Sequence, residues 1–201
     1  MAKLKAPLMS LGASGKLGDA LVYLPWKGLN NVREYVIPAN PRTAAQMKQR
    51  GYLTDLVAKV HAAQAHATHP LTAVDTSAYA LWASVVKAAT TWFNQVVRNG
   101  IDQLVVGLRE CIFSSGSTVP KAGALDVQVW SIGIAPTGGD FWYGTSKTAL
   151  INKKGGSFES GKSSATIDDL TKGVKYFWQF RPTVPTTIKG TRSGIYYGTP
   201  L

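Results

Sequence analysis

Apolar positions change their period twice along the chain, which divides it into three stretches. Up to about Asn40 the apolar runs are short and bounded by glycine and proline. Residues 17–24 and 32–37 read as strands, and Pro25-Trp26-Lys27-Gly28-Leu29-Asn30-Asn31 supplies the turn of a loose β-hairpin between them. Pro38 and Pro41 stop either a strand or a helix from continuing. A lone hairpin is marginal in water, so this stretch needs a surface to pack on.

From Thr43 the period becomes helical. Thr43 and Gln46 form a capping-box pattern, in which the hydroxyl accepts an early amide and the glutamine reaches back. Leu53, Leu56, Val57 and Val60 then recur at three- and four-residue spacing, predicting a helix over 44–66. A second helix is predicted from Asp75 or Thr76, with Trp82, Val85, Val86, Ala89, Trp92, Phe93, Val96 and Val97 on one stripe. Asn99-Gly100 reads as its stop, and Ile101, Leu104, Val105, Leu108 and Ile112 predict a third helix. The aromatic stripe reads as helix–helix core in preference to a ligand cleft.

The third stretch opens with Ser114-Ser115-Gly116-Ser117-Thr118-Val119-Pro120, which reads as a soft linker over 114–120. Apolar runs at 125–134, 141–145, 163–167, 174–180 and 194–197 follow, separated by turn residues. Eleven of the chain's twenty aromatics lie from Trp130 to Tyr197, so this end has the means to build its own core. Short strands at this spacing predict an antiparallel β-sandwich. The expected organisation is α+β: a β-hairpin and helices over 1–113 that anchor the chain, the linker, and a sandwich over 121–201.

Ala165-Thr166-Ile167-Asp168-Asp169-Leu170-Thr171-Lys172-Gly173-Val174-Lys175-Tyr176-Phe177-Trp178 resembles a fibronectin type III domain, as does Ser193-Gly194-Ile195-Tyr196 at the start of a last strand. In that family a strand ends in leucine, a glycine turn follows, and a tyrosine opens the next strand. Leu170, Gly173 and Tyr176 match these structural positions. The resemblance implies that Tyr176 makes the corner hydrogen bond of such sandwiches.

Composition narrows the functional classes. With 45% hydrophobic and 16% charged residues the chain is not of a disordered type. One cysteine, Cys111, excludes an internal disulfide and a cysteine-rich zinc site. The first eleven residues are too short and broken for a signal peptide, and the longest apolar stretch, 79–97, is interrupted by Ser84, Lys87, Asn94 and Gln95. The chain therefore reads as soluble, made in the cytoplasm and without membrane contact.

Candidate chemistry is sparse. Gly12-Ala13-Ser14-Gly15-Lys16-Leu17-Gly18 lacks both the earlier glycine and the Ser/Thr of a phosphate loop, and reads as a flexible turn. His61, His66 and His69 cluster, but His61 points away from the other two, so they read as residues of a fraying helix end and not as metal ligands. Cys111 reads as a small core residue, and Asp168 and Asp169 as turn residues. The expectation is no enzyme, no catalytic residues, no metal and no cofactor.

Charge points to macromolecular partners. The net charge is +11, with nine Lys/Arg against three Asp/Glu in residues 1–60 and ten against five in residues 111–201. Lys16, Lys27, Arg33, Arg42 and Arg50, together with Trp26, form a basic and aromatic set suited to an acidic protein surface or to nucleic acid. Gly15-Lys16-x-Gly18, Trp26-Lys27-Gly28, Val32-Arg33 and Pro38-x-Asn40-Pro41-x-Thr43-x-x-Gln46-x-x-x-Arg50, in that order, resemble a module of tailed-bacteriophage structural proteins. That resemblance implies a virion component, either head decoration or head–tail connector, assembling in several copies with capsid, portal or connector proteins. The alternatives are a basic nucleic-acid-binding protein and a host-surface adhesion module.

Overall fold

The computed structural model describes residues 3–4, 13–27, 29–37, 39–87 and 91–201. They form an α+β arrangement of three α-helices and antiparallel sheets, in two compact units, Met1–Thr43 and Ala44–Leu201. Among the described residues no helix is long and apolar enough to cross a membrane.

The first unit is a sheet in which β1 (Lys3–Leu4), β2 (Ala13–Leu17), β3 (Leu21–Trp26) and β4 (Leu29–Glu34) are neighbours in chain order. The strand expected over 17–24 is divided between β2 and β3. Gly18, at φ +56°, opens a turn that a side chain would strain. The expected seven-residue hairpin loop is also shorter, because Pro25↔Asn30 and Trp26↔Leu29 are paired and Lys27 turns the chain at φ 50°. Gly15 and Lys16 lie in β2, while Gly12 falls outside the described residues.

In the second unit α1 (Ala44–Gln64) begins where Thr43 and Gln46 placed it. The two later helices are α2 (Ala73–Val86) and α3 (Trp92–Val105), with boundaries unlike those expected. Thr72 caps α2 and Asp75 completes a capping box with it. Lys87, at φ 57°, ends the helix, and Thr91 restarts the chain as the cap of α3. Asn99-Gly100 does not stop a helix. Gly100 sits inside α3 because α1 crosses there: a Cβ at that position would lie 2.5 Å from Leu56 Cδ2. Leu56, Val60, Tyr79, Trp82, Val96 and Val97 form the helical core, with Trp92 and Phe93 packed at its margin.

The remaining strands make two four-stranded antiparallel sheets. One runs β5 (Ile112–Lys121), β6 (Ala124–Ile132), β10 (Lys162–Ile167), β9 (Ser157–Glu159). The other runs β12 (Tyr196–Gly198), β11 (Tyr176–Val184), β7 (Gly138–Gly144), β8 (Asn152–Gly155). Phe113, Leu125, Val127, Val129 and Ile167 of the first sheet share a core with Phe141, Trp178, Phe180 and Tyr196 of the second. Period-two alternation produces this, with Phe141 and Phe180 facing inward between outward neighbours.

The predicted linker, 114–120, is instead the middle of β5, so the helices and both sheets belong to one unit. Its serines and glycine mark an irregularity in the pairing with β6 between Ser114 and Ser117, with Ser115 at φ 47°. Helix α2 closes this stretch. The Tyr79 hydroxyl donates to Phe113 O at 3.0 Å and accepts from Phe113 N at 3.2 Å, as a neighbouring strand would. The Asp75 carboxylate, fully buried, accepts from Ser115 N, Gly116 N and the Tyr196 hydroxyl at 2.7 to 2.9 Å. Ala78 O accepts from Ile195 N at 3.0 Å. A Cβ on Gly116 would fall 2.2 Å from the Tyr196 ring, so only glycine fits there.

Candidate partner-binding surface

Strand register fixes which side chains of the first unit share a face, because directly paired residues point the same way. Lys16 pairs with Val22 and Val22 with Arg33, so both bases stand in one row across β2, β3 and β4. Leu17 pairs with Leu21 and Gly15 with Tyr23, which in turn pairs with Val32, so Leu17, Leu21, Tyr23 and Val32 occupy the other face. Lys16 and Arg33 thus share their face with Val22, Leu24 and Leu29, while the other face is mainly apolar with Glu34 opposite Leu21.

The two bases differ in their surroundings. Lys16 pairs with Asp19 and its Nζ lies 3.8 Å above the centre of the Tyr35 ring. The Asp19 carboxylate, and more weakly the Tyr35 hydroxyl, hold its ammonium above the usual lysine range. Lys16 is thus partnered within its own unit. Arg33 is exposed and, among the described residues, has no ion pair.

The other expected site residues are dispersed. Lys27 is exposed at the β3–β4 turn, and Trp26 ends β3 in register with Leu29, its side chain lying outside the described residues. Arg42 is exposed near the end of the first unit at φ 45°, and Arg50 belongs to α1 in the second. Among the candidates whose side chains are described, the sheet brings together Lys16 and Arg33. On the apolar face Tyr23 is buried, but Leu17 and Val32 remain about half exposed. Leu29, Val36 and Ile37 are exposed as well, Ile37 to 77%.

Of the structural residues of the third stretch, Tyr176 opens β11 as expected, whereas Leu170 lies beyond the end of β10 at Ile167. Leu170 is buried in the shared core, and Gly173 turns the chain at φ +77°. The Tyr176 hydroxyl accepts from Thr171 N at 3.2 Å.

No cluster that could hold a metal ion occurs among the described residues. His66 Nδ1 accepts from His69 N at 3.1 Å, while the His69 ring stacks on Trp130 with centroids 3.6 Å apart. Burial, with a further push from Glu110, raises the Cys111 thiol to about 12, so it supplies no thiolate near neutrality.

Comparison of the chain with protein-family models, with curated proteins and with solved structures returns no match.

Sequence reasoning missed Asp75 as more than a cap, and it missed Trp142, Arg181 and Arg192. The alternation Phe141-in, Trp142-out and Phe180-in, Arg181-out was the available signal for two of these.

Proposed function

We propose that the chain is a non-enzymatic structural component of a tailed-phage virion, assembling through protein–protein contacts in several copies with capsid, portal or connector proteins. The first unit acts as its anchor. One observation carries this reading: the N-terminal sheet and its flanking segment leave apolar side chains exposed, Leu17 and Val32 on one face, Leu29 on the face that carries Arg33, and Val36 and Ile37 beyond β4. A sheet of this size gains stability by covering such a face with another subunit. The ordered Gly-Lys-x-Gly, Trp-Lys-Gly and Asn-Pro-x-Thr-x-x-Gln landmarks support the same reading through their resemblance to phage structural proteins. Acidic groups on the partner meet Arg33 and Lys27, which steers and registers the contact.

The two facing sheets form a fibronectin type III-like sandwich in this reading. Their strand orders, β5-β6-β10-β9 and β12-β11-β7-β8, and the Tyr176 corner bond support it. Such a module joins or decorates particle surfaces.

The test is incorporation. Particles are purified from a host expressing tagged chain, and bound protein is quantified by mass spectrometry. The Lys27→Glu/Arg33→Glu chain and a chain limited to 44–201 are both expected to be absent from particles, with the second unit still folded. Normal incorporation of both chains overturns the anchoring role, and absence of the unmodified chain from every particle overturns the virion reading.

A further inference from the structure

The outer face of the β12-β11-β7-β8 sheet carries a group of cations with a built geometry. Gln179 pairs with Trp142 and Trp142 with Lys153, while Arg181 pairs with Asp140, so all five side chains share that face. The Arg181 guanidinium carbon lies 4.7 Å from the centre of the Trp142 ring. Its Nε donates to Gln179 Oε1 at 3.2 Å, and the Gln179 amide, almost fully buried, donates to Ser193 O at 2.9 Å. This chain of contacts fixes both the plane and the direction of the guanidinium. Among the described residues its two terminal nitrogens make no ion pair: Asp140 stands opposite in register but outside salt-bridge distance.

A second arginine is held beside it. Ser193 is bound to Phe180 twice, through its own amide to Phe180 O at 3.1 Å and through its hydroxyl from Phe180 N at 2.9 Å. Arg192, the preceding residue, is exposed, and its backbone is thereby held beside the Phe180–Arg181 segment of β11. Burial, and then repulsion from Arg192, lower the affinity of Arg181 for its proton. The fold thus holds two like charges near each other, with Lys153 a third, against the single carboxylate of Asp140. The surplus at the patch is two positive charges.

We propose that Arg181, Arg192 and Lys153, arranged about Trp142, form a binding site for a phosphate group. A fixed guanidinium with both terminal nitrogens unengaged matches the oxygen edge of a phosphate, and a dianion neutralises the surplus that a single carboxylate would leave. The indole orients Arg181 and is not a stacking platform for a base, since the guanidinium covers that face. The site stands on residues separate from those of the anchoring sheet and does not depend on the virion reading.

The probe is inorganic phosphate, titrated into the full chain at low ionic strength while the Arg181 Nε–H and Trp142 indole N–H signals are followed by NMR. Saturable shifts of both signals are expected, with chloride at matched ionic strength producing none. Arg181→Gln and, separately, Arg192→Gln should each weaken binding by about tenfold or more. Arg192 is exposed and its loop is held by the backbone of its neighbours, so that variant carries the test if Arg181→Gln fails to fold. A short oligothymidylate in a parallel arm separates the sources: signals moved at lower phosphate concentration by the oligomer assign a phosphodiester chain, and the reverse assigns a free phosphate or monoester. Equal shifts with chloride, or unchanged affinity in the Arg192→Gln chain, overturn the proposal.

Discussion

Replacing Asp75 by asparagine exchanges one carboxylate oxygen for an NH2 and should cost the second unit about 3 kcal/mol. The carboxylate is completely buried and every neighbour donates to it: Thr72 N, Thr72 Oγ1 and Ser115 N to Oδ2, Gly116 N and the Tyr196 hydroxyl to Oδ1. An amide offers one acceptor and one NH2, so wherever the nitrogen is placed it faces donors. The least costly orientation puts it in the place of Oδ1, where the Gly116 N–H is orphaned and the Tyr196 hydroxyl can accept from the amide only by giving up the bond that it donates. That buried orphan costs about 1–3 kcal/mol, and the bonds kept by the other oxygen weaken once the charge is gone. In a domain of this size about 3 kcal/mol corresponds to a melting temperature lower by roughly 10 °C. Urea unfolding followed by tryptophan fluorescence measures the change, with an unchanged m-value showing that the same unit unfolds. Asp75→Ala, which orphans all the donors, should be worse still. If Asp75→Asn unfolds within about 1 kcal/mol of the parent, the reasoning that this carboxylate ties α2 to both sheets is refuted.

Further outcomes follow from other parts of the fold. Tyr176→Phe removes the partner of Thr171 N at an exposed corner and should lower stability by about 1 kcal/mol in the same denaturant assay. The Cys111 thiol, raised by burial from 9.0 to about 12, should react with a thiol reagent at pH 8 only after urea unfolding. Because its folded value is the higher one, its contribution is fully present below about pH 9 and is lost as the pH rises through 9 to 12, which denaturation midpoints across that range will show. A chain of residues 44–201 should melt cooperatively in calorimetry, whereas 119–201 should not, since that cut divides β5 and discards Phe113 from the shared core.

The contrast between the two fragments reflects what was legible in the sequence. Amphipathic spacing located α1 and its start, and period-two alternation with turn residues located most strands of the two facing sheets. Local composition misled where a long-range partner decides the conformation. Ser114 to Ser117 look like a flexible joint, yet Asp75, about forty residues earlier in the chain, accepts from Ser115 N and Gly116 N while Tyr79 holds the adjacent Phe113, and the stretch is strand. Gly100 looks like a helix stop, yet the crossing of Leu56 requires a residue without a side chain. For the candidate surface, charge counting found Arg33 and Lys16 but not that Asp19 partners the lysine, and register alone set them in one row. The Arg181 group was invisible for the same reason. Its meaning depends on the pairing of β11 with β7 and on the loop that returns Ser193 to Phe180.

The tie between α2 and β5 also bears on how such a chain can be shuffled between genomes. Recombination within 114–120, the stretch that looks most like a seam, parts Asp75 from the Tyr196 hydroxyl and, at the start of that stretch, from the Ser115 and Gly116 amides, leaving buried polar groups on both halves without the partners they had. A crossover near Thr43 falls between compact units and leaves the Asp75 knot whole. Descendants that exchange parts should therefore inherit residues 44–201 as a single cassette, with novelty entering at the N-terminal sheet.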